Sequence, residues 1–143
     1  MSMKDREEIV RELNAQGAAT LPGYLGIELH SLTQGGLCGR MEVTQNHLAA
    51  NGYLHAASVI ALADTCCGNA TIAHLPEGSV NFTTVELKSN FLGSVLEGTV
   101  SCVATAQHMG RTTQVWDAVV TAEKTDKTIA IFRCTQMVLW PNP

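Results

Sequence analysis

Residues 55–73 read HAASVIALADTCCGNATIA, and Ala56 to Ala73 is the longest apolar stretch of the chain. Its apolar side chains leave no broad polar face, so the stretch predicts a helix over roughly His55–Ala73 that is covered on most sides. Asp64, Asn69 and several small polar residues interrupt it, which makes it a poor membrane span and a good buried helix. Whatever covers it comes from the flanks. Upstream, Leu25–Leu32 and Leu37–Thr44 read as two strands, joined at Gln34, Gly35 and Gly36 by a three-residue glycine-containing turn suited to a hairpin. Downstream, four β-type runs follow: Val80–Phe91, Gly98–Gln107, Thr112–Lys124 and Thr128–Leu139. Gly93, then Met109 and Gly110, then Thr125, Asp126 and Lys127 separate them.

Ahead of all this, Ile9, Val10, Leu13 and Gly17 share one face of a segment rich in Asp, Glu, Lys and Arg. This predicts a short amphipathic helix ending at the glycine, a peripheral element within residues 1–20. Two strands, one buried helix and four strands form an α+β pattern in which an antiparallel sheet wraps a long central α-helix. That order is the order of a hotdog fold. One helix cannot cover the whole sheet, so a second subunit is the natural cover for the remaining apolar surface.

The 143 residues, 45% hydrophobic and 15% charged, predict a single domain spanning 1–143 and exclude an intrinsically disordered chain. A net charge of −4 with only nine scattered Lys and Arg speaks against nucleic acid as a partner. Residues 1–17 are charged and periodic rather than basic and then apolar, so no signal peptide is expected, no membrane partner is expected, and the predicted compartment is cytoplasmic. The five cysteines form no C-x-x-C pair and the five histidines show no ligand-like spacing. Neither pattern predicts a metal site, and Cys66 and Cys67 read as packing residues.

Chemistry concentrates at residues 51–64. Between Val43 and Pro76 the only Asp, Glu, Lys or Arg is Asp64, inside the most apolar helix of the chain. A buried carboxylate without a partner is costly, so it is either hydrogen-bonded to a neighbouring element or used as a base or nucleophile. Just upstream, Asn51-Gly52-Tyr53-Leu54-His55-Ala56-Ala57 places a turn before a helix start. The first N–H groups of a helix have no intrahelical acceptor, and such a terminus can hold an oxyanion.

His47-Leu48, Gly52-Tyr53-Leu54-His55 and Leu62-Ala63-Asp64-Thr65 together resemble the signature of hotdog-fold acyl-CoA thioesterases, approximately H-x-N-x-x-G-x-[LV]-H-G-G followed by a helix with L-x-D or L-x-E. Glu86 to Gly93 and Gly110-Arg111 resemble the family's later strand and turn, and the likeness extends over about Leu25 to Leu139, nearest to the phenylacetate-degradation and 4-hydroxybenzoyl-CoA groups. The resemblance implies hydrolysis of an acyl- or aryl-CoA thioester, without a cofactor, since coenzyme A is part of the substrate. It makes Asp64 the carboxylate that activates water or attacks the thioester carbon. His55 marks the helix start, and the N–H of Ala56, where the family usually carries Gly, polarises the thioester oxygen. Thr84 falls where relatives place a Ser or Thr that positions water. Ala49 stands where many members carry Asn or Gln, and Asn51 is the nearest side chain able to reach the same space, although Asn51-Gly52 also reads as a plain turn dipeptide. Arg111 and Lys88 are candidates for the phosphates of coenzyme A.

Ala56 and Asp64 lie eight residues apart on one helix, about 12 Å along its axis. One thioester cannot touch both, so the site is expected to be shared between chains of a homodimer, which could pair again into a tetramer. Two other readings remain open on sequence alone: a non-catalytic acyl-CoA-binding or sensing module, and a hotdog hydratase or dehydratase using His55 as base.

Overall fold

Ser2 and Asp5 cap the first helix reciprocally, with Asp5 N donating to Ser2 Oγ at 3.2 Å and Ser2 N donating to Asp5 Oδ2 at 2.8 Å. In the computed structural model, which describes residues 1–143, this box opens α1 (Met3–Gly17), and Val10 and Leu13 are the side chains it buries. Asn14, one residue on, binds β1 as another strand would: Leu29 N donates to its Oδ1 at 2.9 Å and its Nδ2 donates to Leu29 O at 2.8 Å.

A single turn, α2 (Leu21–Tyr24), follows with Pro22 at its start, where the absent N–H costs nothing. Strand structure therefore begins at Ile27 rather than at the predicted Leu25. Leu25 N still donates to Leu21 O, and Gly26, at φ +71°, turns the chain out of the helix. Strands β1 (Ile27–Thr33) and β2 (Gly36–Glu42) form the expected hairpin, but Thr33 pairs with Gly36. Its loop is thus the two residues Gln34 and Gly35, not three. The odd residue is taken up inside β1, where the register shifts between Leu29 and Ser31.

The central helix α3 (Ala56–Ala73) and strands β3 (Asn81–Phe91), β4 (Thr99–Met109), β5 (Thr113–Ala122) and β6 (Lys127–Leu139) lie within a few residues of their predicted positions. The sheet has six strands in the order β1-β2-β4-β5-β6-β3, with every neighbouring pair antiparallel. It wraps α3, which packs mainly on β2, β4 and β5, in the hotdog arrangement expected from the element order. Leu62, Cys66, Cys67 and Ala70 of the helix meet Met41, Val100, Cys102, Ala104, Trp116 and Val120 of the sheet in one core. Gly39 allows the close seat: a Cβ there would stand 2.7 Å from Cys66 Sγ and 3.2 Å from Glu28 O. All five cysteines are free thiols. By length and composition α3 could cross a membrane, but here the sheet covers it as a core helix.

The sheet's two edges differ. Asn14 blocks β1. At the other edge, β3 is exposed along nearly its whole length, including the apolar Val85 (58% exposed), Leu87 (39%) and Phe91 (45%). An open edge bearing such side chains is a template for pairing with a second chain.

Candidate active site

His47 fixes the approach to α3. Its ring is buried, with Thr44 N donating to Nδ1 at 2.9 Å, so the proton sits on Nε2 and bonds Leu25 O at 2.6 Å. Its carbonyl accepts from both His55 N (2.9 Å) and Ser58 Oγ (2.8 Å). The loop between is closed by Ala49 N donating to Tyr53 O at 2.8 Å, and Leu54 N is tied to Val95 O at 2.9 Å. Gly52, at φ +85°, supplies the left-handed turn. Asn51 belongs to that turn: it is exposed, and its Oδ1 accepts from Tyr53 N at 3.1 Å. Ala49 adds no polar group.

His55 is the N-cap of α3, with Ala57 N donating to its Nδ1 at 2.9 Å. Ser58 N and Val59 N both donate to His55 O. Ala56 N–H is therefore the one donor of this helix start that finds no acceptor in the chain, at the positive end of a five-turn dipole. With Nδ1 accepting, neutral His55 carries its proton on Nε2 and faces outward as a donor. That is the wrong form for the base a hydratase would need.

Asp64 lies midway along the same helix, on the side turned away from the buried row Leu62, Ala63, Cys66 and Cys67. It is half-buried, and its Oδ1 is shielded from solvent without any hydrogen-bond partner. Burial raises its pKa above the ordinary carboxylate value. No backbone or side-chain donor satisfies this oxygen, so a purely structural hydrogen bond does not account for it. The adjacent thiols are inert packing groups. Cys67 is driven far up by its contact with Cys134 and by burial, and Cys66 is fully buried.

Thr84 pairs with the inward-facing Gln136 and Thr83 with the exposed Met137, so Thr84 is the one on the helix side of β3. Phe82, on the same side, approaches α3 where a Cβ on Gly68 would stand 3.4 Å from its Cζ, and Gly68 is one turn beyond Asp64. The inner face of β3, with Phe82 and Thr84, thus packs toward α3 at Gly68, one turn from Asp64. Lys88 is not on that face. Leu87 and Ser89 take the inner face, which leaves Lys88 on the outer one beside Arg133. Arg111 is exposed at the β4–β5 turn, with its guanidinium 4.5 Å above the Trp140 ring. No three His, Cys, Asp or Glu side chains converge as a metal-ligand set. Gln136 stands in step with Phe132, Cys134 and Val138 on the buried face of β6, a pattern visible in the sequence itself.

The sequence matches the thioesterase superfamily over residues 51–129. Among curated relatives, 1,4-dihydroxy-2-naphthoyl-CoA hydrolase of Listeria monocytogenes is 33% identical over 111 residues, covering 78% of this chain and 89% of that protein. Proofreading thioesterase EntH of Cronobacter turicensis is 30% identical over 119 residues, covering 83% of this chain and 86% of that protein. Among solved structures, a glutamine-to-alanine variant of a Pseudomonas aeruginosa thioesterase superposes with a TM-score of 0.86 at 28% identity, covering 91% of this chain and 93% of that one. The PaaI protein of the Escherichia coli phenylacetic acid degradation operon shares the fold at a TM-score of 0.83, with 23% identity and 96% of each chain covered.

Proposed function

The chain belongs to the thioesterase superfamily and is a thioester hydrolase, and from that premise we propose that it cleaves an acyl- or aryl-CoA thioester in a site shared by two chains, with Asp64 and Ala56 as the reacting pair. The observation that carries the reading is the Asp64 carboxylate: half-buried on an apolar helix, one oxygen unpartnered, and made more basic by burial. Ionised Asp64 brings the attacking oxygen to the carbonyl carbon, either its own or that of a water from which it takes a proton. As the carbonyl becomes tetrahedral, its oxygen gains charge, and Ala56 N–H with the outward Nε2–H of His55 meets it at the helix N-terminus. Collapse expels the coenzyme A thiolate, and one water is consumed overall to give the free acid and the thiol. Thr84 supplies a hydroxyl on the inner face of β3, Asn51 holds the turn that aims the helix start, and Arg111 is the group we assign to a phosphate of the coenzyme.

Helix geometry supports the sharing. Ala56 and Asp64 are eight residues apart, about 12 Å along α3, farther than one reacting carbonyl spans. The uncovered β3 edge is the surface over which a second copy would pair, and a two-fold axis there gives two equivalent sites.

The test is Asp64→Asn, which keeps the shape of the side chain and removes the base. Thiol release from acyl-CoA should fall by about a hundredfold or more in kcat. Hydrolysis at the parental rate would remove Asp64 from the reaction.

A further inference from the structure

Arg6 is the one basic residue of α1 without a carboxylate beside it. The neighbours of a helical residue lie three and four positions away. Lys4 has Glu7 and Glu8 there, and so does Arg11, whereas Arg6 has Ser2, Met3, Ile9 and Val10. Asp5, next to it in sequence, is turned to Ser2 N by the cap. The ion pairs of the chain are Arg40 with Glu28 and Arg133 with Asp117, and the Arg6 guanidinium is in neither. It is nevertheless partly buried, so a cation has been drawn out of water with no anion to meet it.

Arg6 lines two cavities. The smaller, about 290 Å³, lies between α1 and β1 and also touches Glu7. The larger, about 350 Å³, lies where α1 meets the end of α3 and the β1–β2 and β4–β5 turns. Leu32, Leu75, Pro76 and Met109 give the larger cavity an apolar wall. His74 and Gln114 complete that wall, and their polar atoms are already engaged. His74 Nδ1 donates to Ala70 O at 2.8 Å, and its Nε2 accepts from Gly35 N at 2.9 Å. Gln114 Nε2 donates to His74 O at 2.9 Å, and its Oε1 accepts from Trp116 Nε1 at 2.9 Å. Thr33 and Gln34 are exposed at the rim. The cavity is therefore an apolar hollow of ligand size with one charged group, whose five N–H donors are free.

We propose that this cavity is a second ligand site, separate from Asp64, which takes an apolar monocarboxylate with its carboxylate on Arg6 and its hydrocarbon body along the wall. The planar guanidinium meets a carboxylate through two parallel hydrogen bonds, and the wall removes the hydrocarbon from water. The local charges select a monoanion. One cation offsets one negative charge, while the C-terminal end of α3 at Ala73 and the nearby Glu7 disfavour a second. Ala73 is nine residues from Asp64, about 14 Å along the helix axis, so a ligand here does not touch the group assigned to the reaction. The inference stands independently of the thioesterase reading.

The experiment is titration calorimetry with octanoate, and with octanamide and octanol as tails of the same length without the charge. The parent should bind octanoate with a Kd of about 1 mM or tighter, and about tenfold or more tighter than either neutral analogue. Arg6→Gln should remove that preference. Leu75→Glu, which sets a carboxylate on the cavity wall, should weaken octanoate by about tenfold as well. Asp64→Asn should bind as the parent does. Thermal melts verify that each variant folds, and Arg6→Gln, on the partly exposed side of α1, decides the matter if Leu75→Glu does not fold. Spectra of methyl-labelled methionine locate the ligand: octanoate should shift Met109, at the cavity, and leave the exposed Met137 of β6 unmoved. Equal affinity for octanoate and octanamide, or octanoate binding unchanged in Arg6→Gln, overturns the proposal. So does no binding by the parent at about 10 mM. Loss of binding in Asp64→Asn would put the acid in the Asp64 site instead, and octyl phosphate binding more tightly than octanoate would refute the choice of a monoanion. None of these readouts uses turnover, so a parent that hydrolyses no thioester would defeat the proposed function and leave this site to be decided on its own.

Discussion

If each site pairs Ala56 of one chain with Asp64 of another, two inactive variants should restore activity when mixed. The first is Asp64→Asn. The second is Ala56→Pro, which deletes one N–H and little else. Ala56 is the first residue of α3, where proline is well tolerated, and its N–H makes no bond within the chain that could be lost. His55 sits at φ −68°, ψ 139°, the extended conformation that a residue before proline adopts readily. The helix should therefore form, and circular dichroism would verify it. Losing an oxyanion donor lowers kcat by about a hundred- to a thousandfold, so either variant alone should retain about 1% of parental activity or less. Unfolding and refolding equal amounts together makes about half of the dimers mixed. Each mixed dimer holds one doubly mutated site and one intact site, so the sample should recover about a quarter of parental activity. Release of free coenzyme A is followed with a thiol-reactive dye, against a protein background confined mostly to the partly exposed Cys38. A mixture no more active than the sum of its components would place both groups of a site in one chain. A parental protein that is fully active as a monomer would refute the sharing outright.

Asp64 should also leave a mark on stability. Burial raises its folded-state pKa, so its ionised form weighs against folding at neutral pH, and that penalty fades as pH falls through the folded pKa toward the ordinary value of 3.8. Asp64→Asn should therefore melt above the parent at about pH 8, with the gap closing by about pH 4; a gap constant across a pH series of thermal melts would contradict the raised pKa. Arg111→Ala should raise KM for an acyl-CoA by about tenfold, the scale of one exposed charge-assisted phosphate contact, and leave KM for the matching acyl-pantetheine unchanged. Equal effects on the two substrates would take Arg111 away from the phosphates.

The element order, the buried central helix and the isolation of Asp64 were legible in the sequence because each is a local pattern. An apolar run of helical length, alternating β-branched strands and one carboxylate among apolar neighbours all survive without knowing what packs on what. The start of α3 was legible for the same reason, since a turn glycine followed by His55 and small residues is a capping signal in one dimension. Other features were set across the chain. The placement of β3 beside β6, Thr84 rather than Thr83 facing the helix, and Lys88 on the outer face depend on pairing register, where a shift of one residue exchanges the two faces. The two-residue hairpin loop depended on a bulge inside β1, which turn composition does not encode. Gln114 and Gln136 are the same residue type at the same parity on adjacent strands. Only the tertiary structure decided that His74 and Trp116 engage the first and nothing engages the second, because hydrogen-bond satisfaction belongs to partners brought together from distant parts of the chain.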